Sequence, residues 1–498
     1  MPDCDGCVKR YTLAIVCVAK KIKICLHQRN PPNQHPRLDP SRVNLHISPP
    51  PKETAPIPIA RKPKPTGLRL LPLVAAIYFM VSGGPYGLED IIGMAGFGRA
   101  LLLLAIVPIL WSVPTALMVG ELASAIPDEG GFYVWAHRAL GRFWGFQVAW
   151  LSLASSVFDM AIYPTTVSLY LMTVFPELKH GHYALLLKLA IVVTATLWNL
   201  RGAVSVGHGS VRMMAISLAP FAVMLAIAIW RIAHGGLHLA TGPQTITYDL
   251  GGALSVTMWN YMGWDNASTI AQEVENPQRD YPRAMFVSAL CVMCVYMLPL
   301  LAVWAVGIPA ARFSTGAWAD AAGLLGGSVL AMSVVLAGSL DGLGTFNALT
   351  LTLTRLPYAM AEDGLLPRIL KLRTSNGVPW VSVLACGTTW ALALGLTFER
   401  LISIDLVLWG ASLILEFLSL IVLRRTEPAL PRPFRIPGNQ LTLILIGCGP
   451  MVLLAFALFN ARAEKLGSIN ALLLASIVAI GGPVVYALMN LTRRRRTA

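Results

Sequence analysis

The most informative segment of this chain is Trp259-Asn260-Tyr261-Met262-Gly263-Trp264-Asp265. It interrupts an apolar segment, Leu254 to Val274, about as long as the roughly 20 residues that a helix needs to cross a bilayer. Broken backbone is tolerated at membrane depth only where it is buried in protein or lines a cavity. An ionisable group at that depth is costly and usually functional. The stretch therefore predicts the wall of a solute site inside a membrane, with Asp265 facing positive charge.

The composition indicates a membrane protein. Of the 498 residues, 55% are hydrophobic and only 13% are charged, whereas a soluble domain has about 25% charged residues. Apolar runs of spanning length recur from residue 70 to the end of the chain. We therefore predict an all-α polytopic membrane protein with one large helical bundle.

Twelve apolar runs are long enough to be membrane spans. Most of the 39 lysines and arginines lie before the first run, in alternate loops and at the C-terminus, so the positive-inside rule predicts that both termini are cytoplasmic. The net charge of +14 then reflects topology, and we expect no nucleic acid partner. The predicted spans are roughly 70–95, 99–123, 143–172, 183–200, 210–232, 251–273, 283–307, 325–357, 379–398, 401–423, 440–460 and 468–491.

Two of these spans are interrupted in matching ways. The first breaks at Ser82-Gly83-Gly84-Pro85-Tyr86-Gly87, and the sixth, five spans later, breaks at Tyr261–Asp265. Paired interruptions at corresponding positions indicate an inverted-repeat transporter with its site near the midplane. A single glycine-rich break could equally be a notch for close helix packing, but two matched breaks favour a site.

The predicted interior holds acids without basic partners. Asp159, Asp265 and Asp341 lie in mid-span and Glu416 lies deeper in the tenth span, while no lysine or arginine lies at mid-depth. Such acids must be protonated or face a cation or water. A cationic substrate or a proton in transit meets that need, although Asp159 could instead be a structural hydrogen-bond acceptor.

The helix ends at the breaks add polarity. Backbone N–H groups near Gly87 suit a substrate carboxylate, and carbonyl groups near Tyr261 suit an ammonium. Aromatic side chains there could form cation–π contacts with amines or serve as ordinary packing. Glu121 and Glu273, at predicted cytoplasmic span ends, are candidates for gating or coupling, with solvated interface charges as the commoner case.

Several motifs resemble the amino acid–polyamine–organocation permeases. Glu121-Leu-Ala-Ser-Ala-Ile-Pro127 followed by Gly130-Gly131-Phe132-Tyr133-Val134-Trp135 is similar to the segment after their second span. The first break, Trp264–Thr269, Glu273–Pro277, Gly364–Pro367 and Leu415–Phe417 resemble the polyamine-uptake branch. The similarity covers about residues 68 to 460.

This resemblance implies a five-plus-five inverted repeat with broken first and sixth helices and two extra C-terminal helices. It also implies cation-driven uptake of polyamines or amino acids. The chain departs from the family at Asn347, where the plant branch often has a glutamate, and at Ser217, where many members have a lysine. The first departure weakens the case for a polyamine over an amino acid, and the second leaves the proton route open between Glu121 and Asp265.

We therefore expect a secondary transporter that imports polyamines or cationic amino acids with protons across the plasma membrane, the alternative being a neutral amino acid permease or exchanger. The partners are the small-molecule substrate, protons and the lipid bilayer. The predicted substrate-binding residues are Ser82, Gly83, Gly84, Pro85, Tyr163, Tyr261, Gly263, Trp264, Asp265 and Asp341. The predicted coupling or gating residues are Glu121, Asp159 and Glu273.

Other classes of protein fit less well. No metalloprotease, nucleophile-elbow or nucleotide-binding motif is found, so we expect no enzyme, no cofactor and no metal. Broken helices of dissimilar sequence favour a carrier over a channel.

The predicted organisation is a basic, proline-rich, disordered cytoplasmic tail over 1–67, a transport core over 68–424, and two further spans with a basic C-terminus over 425–498.

Overall fold

The computed structural model describes residues 67–239, 248–395, 398–460, 465–466 and 469–497. The predicted N-terminal tail lies outside these residues except for its last position. Helices account for nearly all regular structure in the described part of the chain.

The first half of the bundle contains the first interruption. Residues 82–88 separate α1 from α2, and Gly96, whose φ of 75° is unusual for any residue but glycine, divides α2 internally. A π-helical turn, Pro108–Ser112, then joins α2 to α3 without a loop. The helices are α1 (Leu70–Val81), α2 (Glu89–Val107), α3 (Val113–Ala125), α4 (Phe132–Leu140), α5 (Arg142–Val174), α6 (Tyr183–Asn199) and α7 (Ala203–Gly235).

The second half begins with the second interruption. Here α8 ends at Asn260, and the chain resumes as a 3-10 helix over Asn266–Glu273. The remaining helices are α8 (Leu250–Asn260), α9 (Pro277–Ala305), α10 (Ala317–Leu353), α11 (Arg355–Glu362), α12 (Trp380–Ala391), α13 (Phe398–Thr426), α14 (Gln440–Asn460) and α15 (Ala471–Thr497). Two short antiparallel strands, β1 (Lys465–Leu466) and β2 (Ile469–Asn470), precede α15.

Among the described residues, eight helices are long and apolar enough to cross a membrane. This count treats helices that follow one another without a loop, such as α2 and α3, as one. The prediction of a polytopic α-helical membrane protein is therefore confirmed. Helices α1 and α6 are apolar but shorter; α1 is short because the first break ends it after twelve residues. The short α4, between α3 and α5, is a helix that the sequence did not predict.

The bundle is held together by extensive packing between helices. Helix α9 packs on α1 and α3, whereas α5 packs extensively on α10 and α13. A parallel bridge joins Leu68 to Val274: the Leu68 N–H donates to the Glu273 carbonyl (2.7 Å), and the Glu275 N–H donates to the Leu68 carbonyl (3.0 Å). The chain entering the first broken helix is thus hydrogen-bonded to the chain leaving the second.

Candidate functional site

The two helix breaks touch each other. Gly263 has a φ of 93°, and a Cβ at this position would lie 2.3 Å from the carbonyl oxygen of Met80, at the end of α1. Only glycine combines that backbone conformation with such a close approach. The sequence therefore uses glycine here to bring the two interrupted helices into contact.

A cavity lies against this contact, between the breaks and helices α5 and α13. It leaves about 20 Å³ for the centres of water-sized molecules, which is room for one or two waters. An extended amine could enter only after the walls move apart. The lining residues are Met80, Val81, Gly83, Ser152, Ser155, Ser156, Asp159, Tyr163, Trp259, Asn260, Met262, Gly263, Asn266, Leu353, Asp405 and Trp409.

Asp159 is the best-supported carboxylate in this cavity. Its Oδ1 accepts hydrogen bonds from the Tyr163 hydroxyl (2.8 Å) and the Trp259 indole N–H (3.2 Å). The rings of Tyr163 and Trp259 are stacked, with centroids 6.0 Å apart. The two donors hold the Asp159 carboxylate in place, and their ring faces form part of the same wall.

Asp405, on α13, is a second cavity acid that the sequence analysis missed. It is fully buried, and its Oδ1 accepts a short hydrogen bond from the Ser155 hydroxyl. Its Oδ2 has no hydrogen-bond partner in the part of the chain that is described. Asp405 and Asp159 are close enough for their charges to interact. The available signal was an ionisable residue just inside the predicted tenth span.

Asp341 contacts the first break on another side. A Cβ on Gly84, whose φ is 66°, would lie 3.0 Å from Asp341 Oδ1, and one on Gly83 would lie 3.8 Å from Oδ2. The side chain of Ser217 also reaches this carboxyl group. Asp341 is 1% exposed and is not among the cavity-lining residues.

The predicted residues of the second break do not share one environment. Gly263 lines the cavity, but the Tyr261 hydroxyl points to the Leu104 carbonyl (2.9 Å) on α2, and the Trp264 indole donates to the Tyr261 carbonyl (2.9 Å). Asp265 is fully buried outside the cavity lining, beside Trp409. These residues are adjacent in the sequence, but the interrupted backbone points their side chains in different directions.

The first break has few N–H groups to offer. Gly84 N–H donates to the Ser82 hydroxyl (3.1 Å), and Pro85 has no N–H. Gly87 N–H donates to the carboxylate of Glu89 (2.6 Å), another buried acid that the sequence analysis overlooked. Glu89 also accepts hydrogen bonds from Tyr170 and from the Gly316 N–H (3.2 Å). The N-terminus of α2 thus carries a carboxylate of the protein itself, as favoured by the helix dipole.

The two predicted gating glutamates are paired with arginines at the predicted cytoplasmic side. Glu121 on α3 is fully buried and binds both Arg424, which donates through Nε (2.8 Å) and Nη2, and Arg432, whose Nε is 3.2 Å away. Glu273 accepts a hydrogen bond from the fully buried Arg355 (2.8 Å). Both pairs lie outside the cavity and join different helices.

A third ion pair links loops at the same side. Arg373 lies 2.5 Å from Glu129 and stacks over the Tyr358 ring, 3.8 Å from its centroid. Burial raises the pKa of Glu129, and the charge of Arg373 opposes this shift. No group of three or more His, Cys, Asp or Glu side chains among the described residues is placed to hold a metal ion.

Comparison with known proteins agrees with this architecture. Residues 74–491 match the amino acid permease family. The chain is 34% identical to a probable polyamine transporter of Arabidopsis thaliana over 433 residues, which is 86% of this chain and 85% of the relative. It is 33% identical to the polyamine transporter PUT1 of Oryza sativa subsp. japonica over 400 residues, or 80% and 75% of the two chains. It is 32% identical to the polyamine transporter RMV1 of Arabidopsis thaliana over 389 residues, or 78% and 79%. The chain therefore belongs to the amino acid permease family, within the amino acid–polyamine–organocation superfamily, and is a transporter rather than an enzyme.

Proposed function

We propose that this permease is a proton-coupled secondary transporter that imports polyamines by alternating access, with cationic amino acids as the nearest alternative substrates. The amine binds in the cavity between the two breaks. Asp159 and Asp405 provide the negative charge, and Tyr163 and Trp259 provide aromatic faces for the methylene chain and the ammonium groups.

The observation that carries this proposal is the charge of the cavity. Two buried carboxylates line it, and none of its lining residues, all within the described chain, is basic. Two neighbouring acids in a medium of low dielectric constant are stabilised by a cation that carries two charges. A polyamine provides such charges several bonds apart, whereas a neutral amino acid provides no net charge.

The first break also favours an amine over an amino acid. A substrate carboxylate would need free N–H groups at the start of α2. Here Ser82 accepts from Gly84, Pro85 cannot donate, and Glu89 accepts from Gly87. The N–H groups of Gly84 and Gly87 before α2 are therefore already hydrogen-bonded to side chains of the protein. This argues against a neutral amino acid bound there through its carboxylate.

We propose in addition that twelve spans form a five-plus-five inverted repeat with two C-terminal helices, over the divisions 1–67, 68–424 and 425–498. The matched breaks after α1 and α8 support this repeat. The distribution of basic residues supports cytoplasmic termini, and the plasma membrane is the proposed location. In this topology the ion pairs of Glu121, Glu129 and Glu273 close the cytoplasmic side, and some of them must separate when the cavity opens inward.

The test is uptake of radiolabelled spermidine into proteoliposomes, with and without an inward proton gradient. We expect saturable uptake that the gradient stimulates and that unlabelled putrescine inhibits more strongly than leucine. Asp159→Asn and Asp405→Asn should each weaken uptake, while Glu177→Gln, an exposed acid outside the cavity, should not. Leucine uptake without spermidine uptake would contradict the proposal and support the neutral amino acid permease or exchanger.

A further inference from the structure

We propose that Asp265 and Glu416 together form the binding site for the coupling proton, and that Trp409 separates this acid pair from the amine cavity. This inference rests on the proposed function as a proton-coupled amine transporter. It gives Asp265 a role different from direct substrate binding and assigns a role to α13.

The acid pair lies between the second break and α13. Asp265 is fully buried, and neither of its carboxylate oxygens has a hydrogen-bond partner among the residues described. Glu416 is also fully buried; its Oε1 accepts from the Ser412 hydroxyl (3.1 Å), and its Oε2 has no partner within the same described residues. The two carboxyl groups are close enough to interact electrostatically. Three buried carboxylate oxygens thus lack a hydrogen bond of normal geometry from the described residues.

The charges around the pair favour a bound proton. Neither acid forms an ion pair with a described basic residue; Arg424 and Arg432, further along the chain, are held by Glu121. Two carboxylates at close range in a medium of low dielectric constant cannot both ionise at moderate cost. A proton on the pair would remove this repulsion between like charges.

The other titratable groups near the pair do not supply a cation. Helix α13 packs against α3, α4, α5, α8, α14 and α15. Asp405 is the further acid within electrostatic range of Asp265, and it in turn interacts with Asp159. Among the residues whose side chains are described, the remaining titratable or charged groups on these elements and from the second break through Glu273 are Glu121, Tyr133, His137, Arg138, Arg142, Tyr163, Tyr170, Tyr261, Glu273, Cys448 and Tyr486. Of the two arginines, Arg138 binds Glu427 and Arg142 donates to the Asp363 carbonyl.

Trp409 connects the pair to the cavity. It lines the cavity, and its indole faces the Asp265 carboxyl group without forming a hydrogen bond of normal geometry to any described residue. Asp405 and Glu416 lie on either side of Trp409 along α13, one in the cavity and one outside it. Movement of the second break relative to α13 would therefore change the access of the acid pair to the cavity.

This geometry couples the proton to the conformational change. With a proton bound, the pair carries at most one negative charge, and the second break can pack against α13 as observed. Loss of the proton would place two like charges in a dry contact, which would drive the break away from α13. The proton is only bound and released, so no covalent bond forms or breaks.

The experiment compares two kinds of transport in proteoliposomes. Spermidine counterflow, with equal pH on both sides, reports amine binding and exchange; uptake driven by a proton gradient, with a pH-sensitive dye inside, reports coupling. Glu416→Gln and Asp265→Asn should retain counterflow and lose both the stimulation by the gradient and the amine-dependent acidification. The matched control, Asp405→Asn on the same helix, should lose counterflow because it lines the cavity.

Each outcome decides one question. Wild-type stimulation by the gradient in both Glu416→Gln and Asp265→Asn overturns the proton site. Loss of counterflow in both variants, with normal gel filtration, also overturns it and makes the pair part of the amine site. If one variant does not fold, the other decides. If the wild-type protein moves leucine but not spermidine, the proposed function fails, and the same measurements with leucine then decide the role of the pair.

Discussion

Substitution of Gly263 by alanine tests whether contact between the breaks is essential. The new Cβ would lie 2.3 Å from the Met80 carbonyl oxygen, at a φ of 93° that L-residues rarely adopt. The strained φ costs about 1–3 kcal/mol, and the overlap with a backbone atom adds about 1–3 kcal/mol. We therefore expect the contact to be destabilised by about 2–6 kcal/mol, against a total stability of about 5–15 kcal/mol for a typical protein.

The matched control is Gly98→Ala. Gly98 lies in α2, and a Cβ there would have no neighbour within 4 Å among the described residues. A change from glycine to alanine within a helix usually stabilises the folded protein by about 0.5–1 kcal/mol. The assay is the fraction of detergent-purified protein that remains monodisperse after heating, together with uptake. We expect Gly263→Ala to lose stability and transport and Gly98→Ala to keep both. Equal heat resistance and equal transport in the two variants would refute the reasoning.

Substitutions at the first break, in the cavity wall and in the buried ion pair each test a different contact. Gly84→Val should abolish transport, because a branched side chain would meet Asp341 at a positive φ; normal uptake would show that the first break tolerates a side chain. Trp259→Phe should keep an aromatic ring but lose the hydrogen bond to Asp159. If this bond contributes about 1–2 kcal/mol to spermidine binding, the KM for spermidine should rise roughly 5- to 30-fold. An unchanged KM would argue against a role of this hydrogen bond in binding. Glu121→Gln should lower thermal stability markedly, since it leaves two buried arginines underpaired and breaking such a pair costs about 3–5 kcal/mol; wild-type heat resistance would contradict this.

The sequence predicted features that depend on local chemistry. The breaks after α1 and α8 were found from glycine, proline and asparagine within apolar runs, because these residues act on their own backbone wherever the fold places them. The location of most helices followed from hydrophobic length for the same reason.

The direction in which each side chain faces could not be predicted from the sequence in the same way. Tyr261, Gly263 and Asp265 are neighbours in the chain, yet only Gly263 lines the cavity. A broken helix has no regular periodicity, so the direction of each side chain is decided by tertiary contacts. Asp405 and Glu89 were missed because their partners, Ser155 and Gly316, come from remote parts of the sequence.

The bridge between Leu68 and Val274 has a consequence for how this chain can change during evolution. Its two hydrogen bonds use only main-chain atoms, from Leu68, Glu273 and Glu275. When one broken helix rotates, these main-chain hydrogen bonds therefore pull on the other. Almost every amino acid has the backbone N–H and C=O groups that form them. The bridge itself makes no demand on the side chains at these positions, while proline at 68 or 275 is excluded because it lacks the N–H that the bridge requires.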